Sequence, residues 1–202
     1  MQSKYDEDSE MSKHTFETER LLIRPISQQD QALYCSLYSN DKTMKFIGLP
    51  LTVAKASRAF NSIIKKQKLN NLYQTLWVIV FKACQSKVGI VATSQTNLSI
   101  NKQLDETEIG ILLLNQYTGL KIGTEALKSL MRYLKHKTLV TKLHAFHHLK
   151  NIASDKAFRR LGFANLIDST NIDNKSVHKI FIYNTELNKN KINSLKPSQV
   201  SD

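Results

Sequence analysis

The segment 108–126 constrains the fold more than any other part of the chain. Its residues 109–114 form a short apolar run, which predicts a buried strand, and residues 115–118 are polar. Gly119 and Gly123 then open a segment whose apolar residues recur at helical spacing: Ile122, Ala126, Leu127, Leu130 and Leu134. A strand that leads through such a loop into a helix can hold an anion, because the first helical N–H groups have no internal partner.

This loop alone does not decide between anion binding and a purely structural role, because two glycines ahead of a helix often occur for packing reasons. A second stretch begins about thirty residues later. It carries Asn151-x-x-Ser154 at its start and Leu161-Gly162-Phe163 at its end.

Together these stretches resemble the GNAT superfamily, the acyl-CoA-dependent N-acetyltransferases, and within it the branch that acetylates ribosomal-protein N-termini, with the spermidine acetyltransferases nearby. In that branch a strand reading Glu-Ile-Gly leads to a loop Q/R-x-x-G-x-G/A, a helix beginning Thr-Glu-Ala, and a later Asn-x-x-Ser helix ending in Leu-Gly-Phe. The matching segments here are Glu108–Gly110, Thr124–Ala126, Asn151–Ser154, Leu161–Phe163 and the first strand Glu17–Pro25. The resemblance covers roughly residues 15–185.

Three positions depart from patterns found in the superfamily. The loop's first position, Gln or Arg, falls on Thr118, and its first glycine falls on Lys121. The Lys121 ammonium can meet a phosphate, or the side chain can crowd the loop. The backbone donors there stay in place provided that the φ of Lys121 is negative. Phe158 stands where many GNAT enzymes carry a tyrosine acid, so that acid is excluded.

The pattern of elements predicts an α/β fold, a single mixed sheet with helices on both sides. The resemblance implies that this sheet is mostly antiparallel, with two parallel central strands that splay apart. The predicted strands are Thr18–Pro25, Leu76–Phe81, Val88–Ala92, 109–114, Lys142–His148 and Lys179–Tyr183. Helices are predicted after Ser27, after Pro50, after Gly119 and from Asn151. We expect a disordered tail at 1–14, one domain at 15–187 and a flexible tail at 188–202.

The resemblance implies acetyl-CoA as the acyl donor, with its pyrophosphate on the loop and its pantetheine arm in the wedge between the splayed strands. The expected loop contacts are Thr118, Gly119, Leu120, Lys121, Ile122, Gly123 and Thr124. The expected strand contacts are Ile111, Leu112 and Leu113, whose apolar side chains would equally suit a core. Asn151 can bond the pantetheine amides or cap its helix, and Phe158 completes the expected cofactor contacts.

Acetyl transfer to an amine requires a base, because only the neutral amine attacks the thioester. Glu108 matches a strand position where some GNAT enzymes keep a catalytic glutamate, although it could equally pair at the strand end. Ser154 matches a serine near the sulfur, where it could protonate or hydrogen-bond the thiolate, or it could satisfy helix N–H groups. His148 is a second candidate base. On a strand His144 and His148 face opposite to His147, so no metal site is expected.

The charge balance constrains the partners. The net charge is +12 over 202 residues, yet residues 1–20 contain six acidic and three basic side chains. An acyl-CoA accounts for part of the excess, and an acidic protein or RNA would account for more. A polyamine fits poorly, and a simple solvated basic surface stays open. The rival to the enzyme is a catalytically silent module of the same fold that binds acyl-CoA, RNA or an acidic protein.

Composition favours a single-domain protein of the cytoplasm. No apolar run reaches the length of a membrane span, and the N-terminus does not read as a signal peptide. The two cysteines, Cys35 and Cys84, lack a C-x-x-C spacing and are expected to be reduced thiols. An antibiotic acetyltransferase would share the mechanism and differ in the acceptor pocket. The sequence leaves the acceptor and a monomeric or dimeric state open.

Overall fold

The computed structural model describes residues 12–67, 75–94, 106–138, 140–169 and 178–184. The strands are β1 Phe16–Glu17, β2 Leu21–Pro25, β3 Leu76–Phe81, β4 Ser86–Ser94, β5 Glu106–Leu113, β6 Lys142–His148, β7 Ala164–Ser169 and β8 His178–Asn184. The helices are α1 Gln31–Tyr38, α2 Asp41–Met44, α3 Val53–Gln67, α4 Ile122–Lys137 and α5 Ile152–Arg160.

All eight strands form one sheet in the order β1-β2-β3-β4-β5-β6-β8-β7. Every neighbouring pair is antiparallel except β5 and β6, which are parallel and are joined through α4. The predicted α/β fold with one mixed, mostly antiparallel sheet and a parallel central pair is confirmed.

Three strand predictions differ from the structure. β7 was not predicted, because it contains three polar residues in six and pairs only with β8 at the sheet edge, where no continuous apolar run is needed. β5 begins at Glu106, three residues before the apolar run, since Glu106 and Thr107 pair with β6. The predicted first strand Thr18–Pro25 begins only at Leu21, because the Thr18 hydroxyl accepts a hydrogen bond from the Leu21 N–H and turns the chain between β1 and β2.

Two hydrophobic clusters cover the two faces of the sheet. The first lies between the sheet and α4 and includes Ile109 of β5, with Ile111 and Leu113 packed against it. The second lies between the sheet and α1 and α3, and Leu112 packs against it. Because successive strand residues alternate between faces, β5 supplies its odd-numbered side chains to α4 and its even-numbered ones to α1 and α3.

The folded part begins before residue 15. Residues 1–11 and 185–202, which include most of both predicted tails, lie outside the described residues. His14 was placed in the N-terminal tail, but its carbonyl accepts a 3.0 Å hydrogen bond from Trp77 Nε1, and its Nδ1 lies 2.5 Å from the Tyr133 hydroxyl. In the described part, no helix is long and apolar enough to cross a membrane.

A buried carboxylate fixes the start of α1 to the sheet. Asp30 is fully buried, and both its oxygens lie 2.8 Å from the guanidinium of Arg24 on β2. Lys87 of β4 lies 2.6 Å away, and the Ser27 N–H also donates to the carboxylate. Burial opposes ionisation of Asp30, but the hydrogen bonds from Arg24 and Lys87 outweigh it and hold the pKa of Asp30 well below its ordinary value.

We expect Asp30→Asn to lower the free energy of unfolding by about 3 kcal/mol at pH 7, because it leaves Arg24 without its bidentate partner. Chemical denaturation measures this loss. Since the pKa is depressed in the folded state, the contribution is present above the ordinary aspartate pKa of 3.8 and is lost as the pH falls below it. The exposed Asp41→Asn is the matched control. Equal stabilities of the two variants would contradict the role of Asp30.

Candidate active site

The central parallel pair opens soon after it forms. β5 and β6 are paired at Glu106–Lys142, Thr107–Leu143 and Glu108–His144. Beyond these three pairs β5 continues to pair with β4 as far as Leu113, and β6 continues to pair with β8 as far as His148. The two strands therefore diverge and leave a wedge whose β5 side is a strand edge along residues 109–113. This agrees with the splayed strands that the resemblance implied.

A cavity of about 250 Å³ occupies this wedge. Its lining comes from the sheet, from α5 and from the α1–α2 region: Tyr38, Phe46, Ile47, Ile90, Ala92, Glu108, Gly110, Ile111, Leu112, Phe146, His147, Asn151, Ser154 and Phe158. The lining includes four consecutive or nearly consecutive residues of β5, so the cavity follows this strand edge. Six of the predicted site residues lie together here, although they come from two segments of the sequence: Glu108, Ile111, Leu112, Asn151, Ser154 and Phe158.

Glu108 is a half-buried carboxylate in the lining of the cavity. Its even-numbered position points it toward the α1 and α3 face, and the Ser94 hydroxyl donates to its Oε2 at 3.2 Å. Burial raises the pKa of Glu108 above its ordinary value of 4.5, and the hydrogen bond from Ser94 only partly offsets this. A half-buried carboxylate with a raised pKa in a cavity is suited to accept a proton.

The start of α5 forms the opposite wall. The Asn151 side chain accepts a 3.2 Å hydrogen bond from the Ser154 N–H and thus caps the helix while it lines the cavity. Phe158, two turns further along the helix, is buried and stacks on the His147 ring with centroids 6.2 Å apart. On α5, Ser154 therefore lies between the capping residue Asn151 and Phe158, whose ring stacks on His147.

The loop before α4 contains an unfavourable backbone conformation. Lys121 has φ +61° and ψ 5°, and Gly119 has φ +80°. The condition of a negative φ at Lys121 is therefore not met. Lys121 instead adopts the left-handed conformation that glycine takes without strain, at the position where the family has glycine, so the loop keeps a backbone suited to glycine. The Ile122 side chain is fully buried in the core, so only its backbone is left for a ligand. The Thr118 hydroxyl donates to the Asn115 carbonyl at 2.7 Å.

The same loop is held by an arginine that sequence reasoning treated only as part of the first strand motif. Arg20 donates to the Leu120 carbonyl at 3.3 Å and to Glu125 Oε2 at 2.8 Å through its Nε. Thr18 donates to the other Glu125 oxygen at 2.5 Å. Burial opposes ionisation of Glu125, but the hydrogen bonds from Thr18 and Arg20 outweigh it and lower the pKa of Glu125. These bonds fix the loop against the first turn of α4.

The three histidines of β6 have different surroundings. His144 is buried with its Nε2 2.9 Å from Glu106, which also pairs with Lys142 at 2.6 Å. His148 accepts a hydrogen bond from the Lys150 N–H, and its ring lies 5.8 Å from that of Phe46. Within the described ranges no group of three metal-ligating side chains is found.

His147 is the histidine that lines the cavity. Sequence reasoning chose His148 as the second candidate base and missed His147. The alternation along β6 was the available signal, because it separates these two neighbours onto opposite faces. His147 Nδ1 lies 3.0 Å from the His148 carbonyl, and its Nε2 lies 3.8 Å from Asp155.

A family profile described as an acetyltransferase (GNAT) domain matches residues 20–164. The chain belongs to this family. It is therefore an N-acetyltransferase, and acetyl-CoA is the acyl donor of such enzymes. A comparison with curated proteins found no match.

Solved structures of GNAT enzymes share the fold. An acetyltransferase of the GNAT family from Bacillus anthracis has a TM-score of 0.70 at 16% identity, covering 85% of this chain and 99% of that one. The ribosomal-protein-S5-alanine acetyltransferase from Vibrio fischeri has a TM-score of 0.68 at 17% identity, covering 85% and 97%. The spermidine N-acetyltransferase from Vibrio cholerae, in complex with CoA and spermine, has a TM-score of 0.68 at 15% identity, covering 84% and 98%.

We expect Lys121→Gly to be more stable than Lys121→Ala by about 1 kcal/mol. Both remove the ammonium, but only glycine relieves the left-handed strain, and its greater freedom in the unfolded chain offsets part of the gain. Thermal unfolding should show a Tm about 2–4 °C higher for the glycine variant. An alanine variant that is equally or more stable would contradict the strained conformation.

Proposed function

We propose that the wedge binds acetyl-CoA and that Glu108 deprotonates a primary amine that attacks the acetyl group. The observation that carries the proposal is the position of Glu108, a carboxylate with a raised pKa in a cavity between diverging strands of a GNAT domain. The resemblance to the ribosomal-type branch supports a protein N-terminus as the acceptor.

The residues present fit the donor. In the described structure, the edge of β5 along Ile111, Leu112 and Leu113 has no strand partner on the wedge side, so its backbone groups can pair with the pantetheine amides. The N-terminus of α4 presents backbone N–H groups to the pyrophosphate from the loop of residues 118–124. Gly123 in the first turn packs against Ile111 and Leu113, which brings this helix end close to the strand edge.

Lys121 adds a positive charge at the loop. Its side chain is exposed, so the ammonium can reach a phosphate and add to the backbone donors. In that case both Lys121→Gly and Lys121→Ala bind acetyl-CoA more weakly than the wild type, and the difference shrinks at high salt. Tighter binding of both variants at both salt concentrations would assign the lysine a crowding role instead.

The reaction needs only groups of this chain beside the two substrates. Glu108 takes the proton of the attacking amine, and the C–N bond forms as the C–S bond breaks. The Ser154 hydroxyl donates a hydrogen bond to the leaving sulfur. The acetyl group passes directly from the donor to the amine, without a covalent intermediate on a cysteine of the protein.

The silent module is the rival proposal, supported by Lys121 in the loop and by Phe158 in place of a tyrosine acid. It would bind acetyl-CoA without releasing thiol in the presence of any amine. An acidic protein or RNA as a partner stays a prediction from the net charge of +12, and the cytoplasmic location stays a prediction as well.

We expect Glu108→Gln to lower kcat by on the order of 10²-fold while acetyl-CoA affinity stays within a few-fold, since the amide cannot accept the proton. Free thiol release measures turnover. In the wild type, log kcat/KM falls with slope one below the pKa of the amine and with slope two below the raised pKa of Glu108. The variant keeps slope one, because only the amine then titrates.

Two further variants sharpen this test. Ser94→Ala should move the break of slope to higher pH, because the hydrogen bond from Ser94 stabilises the ionised form of Glu108. The exposed Glu19→Gln is the matched control and should behave as the wild type. A Glu108→Gln variant with near-full activity from pH 6 to 9 would contradict the assignment of the base.

A further inference from the structure

The acceptor reaches Glu108 from the α1 and α3 side of the sheet. Glu108, Gly110 and Leu112 face this side, whereas the α4 end of the donor site adjoins Ile111 and Leu113 on the other side. With the donor arm in the wedge, the amine must enter past the segment of the chain that links α1 to α3. The surface of that segment therefore sets the acceptor's chemistry.

This entrance is apolar and extends onto the surface. Phe46 and Ile47 line the cavity, and the Leu51 N–H donates to the carbonyl of Tyr38, another lining residue, at 2.8 Å. Between these anchors, Leu49 is 89% exposed, and Ile47 is itself 52% exposed. Val53, at the start of α3, is 65% exposed. We name Ile47, Leu49 and Val53 the entrance strip, because these exposed apolar side chains lie close together in the sequence and Ile47 also lines the cavity.

The charges near the entrance are unsuited to a polycation. Among the described residues that line the cavity, Glu108 is the carboxylate. Lys45 lies with its Nζ 5.1 Å from the ring centroid of Phe46, and Lys150 is the neighbour of Asn151 in the opposite wall. Asp41, exposed on α2, is the nearest acid in sequence to this segment. Asp155, the neighbour of the lining residue Ser154, is paired with Arg159 at 2.8 Å. A substrate with several amines would therefore have one carboxylate in the cavity, Glu108, and two lysines beside it.

The pKa of the acceptor's amine favours an N-terminal α-amine over a lysine-like alkyl amine as the substrate. An N-terminal α-amine has a pKa of about 8, whereas a lysine-like alkyl amine has a pKa of about 10.4. At pH 7 the neutral fraction of the first is therefore more than a hundredfold larger. A carboxylate is a weak base even when burial raises its pKa, so Glu108 is better matched to an amine that loses its proton near neutrality.

We propose that the acceptor is a polypeptide N-terminus that begins with a bulky apolar residue and continues with acidic ones. The first side chain packs on Phe46 and the entrance strip, the α-amine meets Glu108, and the following carboxylates meet Lys45 and Lys150. This inference rests on the proposed function and narrows its acceptor. It excludes polyamines and aminoglycosides as good substrates.

The test compares acceptors of matched length on the full chain, with free thiol as the readout. The peptides begin with Phe or Ser and continue with acidic or with basic residues, and spermidine and kanamycin complete the panel. Burial of a large apolar side chain predicts a kcat/KM at least 10-fold higher for the Phe-first acidic peptide than for the Ser-first acidic peptide. Basic residues after Phe should lower kcat/KM, most strongly at low salt.

Leu49→Ser examines the entrance strip without disturbing the core, because this side chain is almost fully exposed. It should reduce kcat/KM several-fold more for the Phe-first peptide than for the Ser-first peptide and leave the KM of acetyl-CoA unchanged. Turnover of the Ser-first peptide, spermidine or kanamycin that equals or exceeds that of the Phe-first acidic peptide would overturn the inference and leave the acetyltransferase proposal intact. Absence of acetyl-CoA binding in calorimetry, or binding without thiol release for every acceptor, would overturn the proposed function itself.

Discussion

The site depends on the short parallel pairing of β5 with β6. Three residue pairs hold the strands together at one end, where Glu106 binds both Lys142 and His144. Each strand then follows its other neighbour, so the strands separate and expose a strand edge inside a folded domain. Such an edge is costly unless something pairs with it, which supports the proposal that an extended chain with amide groups binds in the wedge.

Two polar clusters place the surrounding elements around this wedge. Asp30, with Arg24 and Lys87, ties the start of α1 to β2 and β4 and so positions the acceptor side. Arg20 ties Leu120 and Glu125 together and so positions the donor side. Both clusters join segments far apart in the sequence by charge-assisted hydrogen bonds, which fix direction better than apolar contacts do.

The sequence predicted the elements whose apolar pattern is strong and missed those that depend on three-dimensional contacts. Leu76–Phe81 is confirmed because its continuous apolar run is typical of a buried strand, and the helix after Pro50 is confirmed because its apolar residues recur at helical spacing. β7 was not predicted because an edge strand does not need a continuous apolar run. The splayed pair was expected only through the family resemblance, since its residues read as ordinary core. The left-handed backbone of Lys121 and the role of Arg20 needed coordinates, whereas the alternation along β6 could have separated His147 from His148.

The crystal structure of this protein with coenzyme A tests the central claim most directly. The account predicts the pantetheine arm in the wedge, hydrogen-bonded to the backbone of residues 111–113. The pyrophosphate should then lie at the first N–H groups of α4, and the sulfur should lie within reach of Ser154 and of an amine held by Glu108. Coenzyme A bound elsewhere on the molecule, with the wedge closed or filled by side chains, would contradict it.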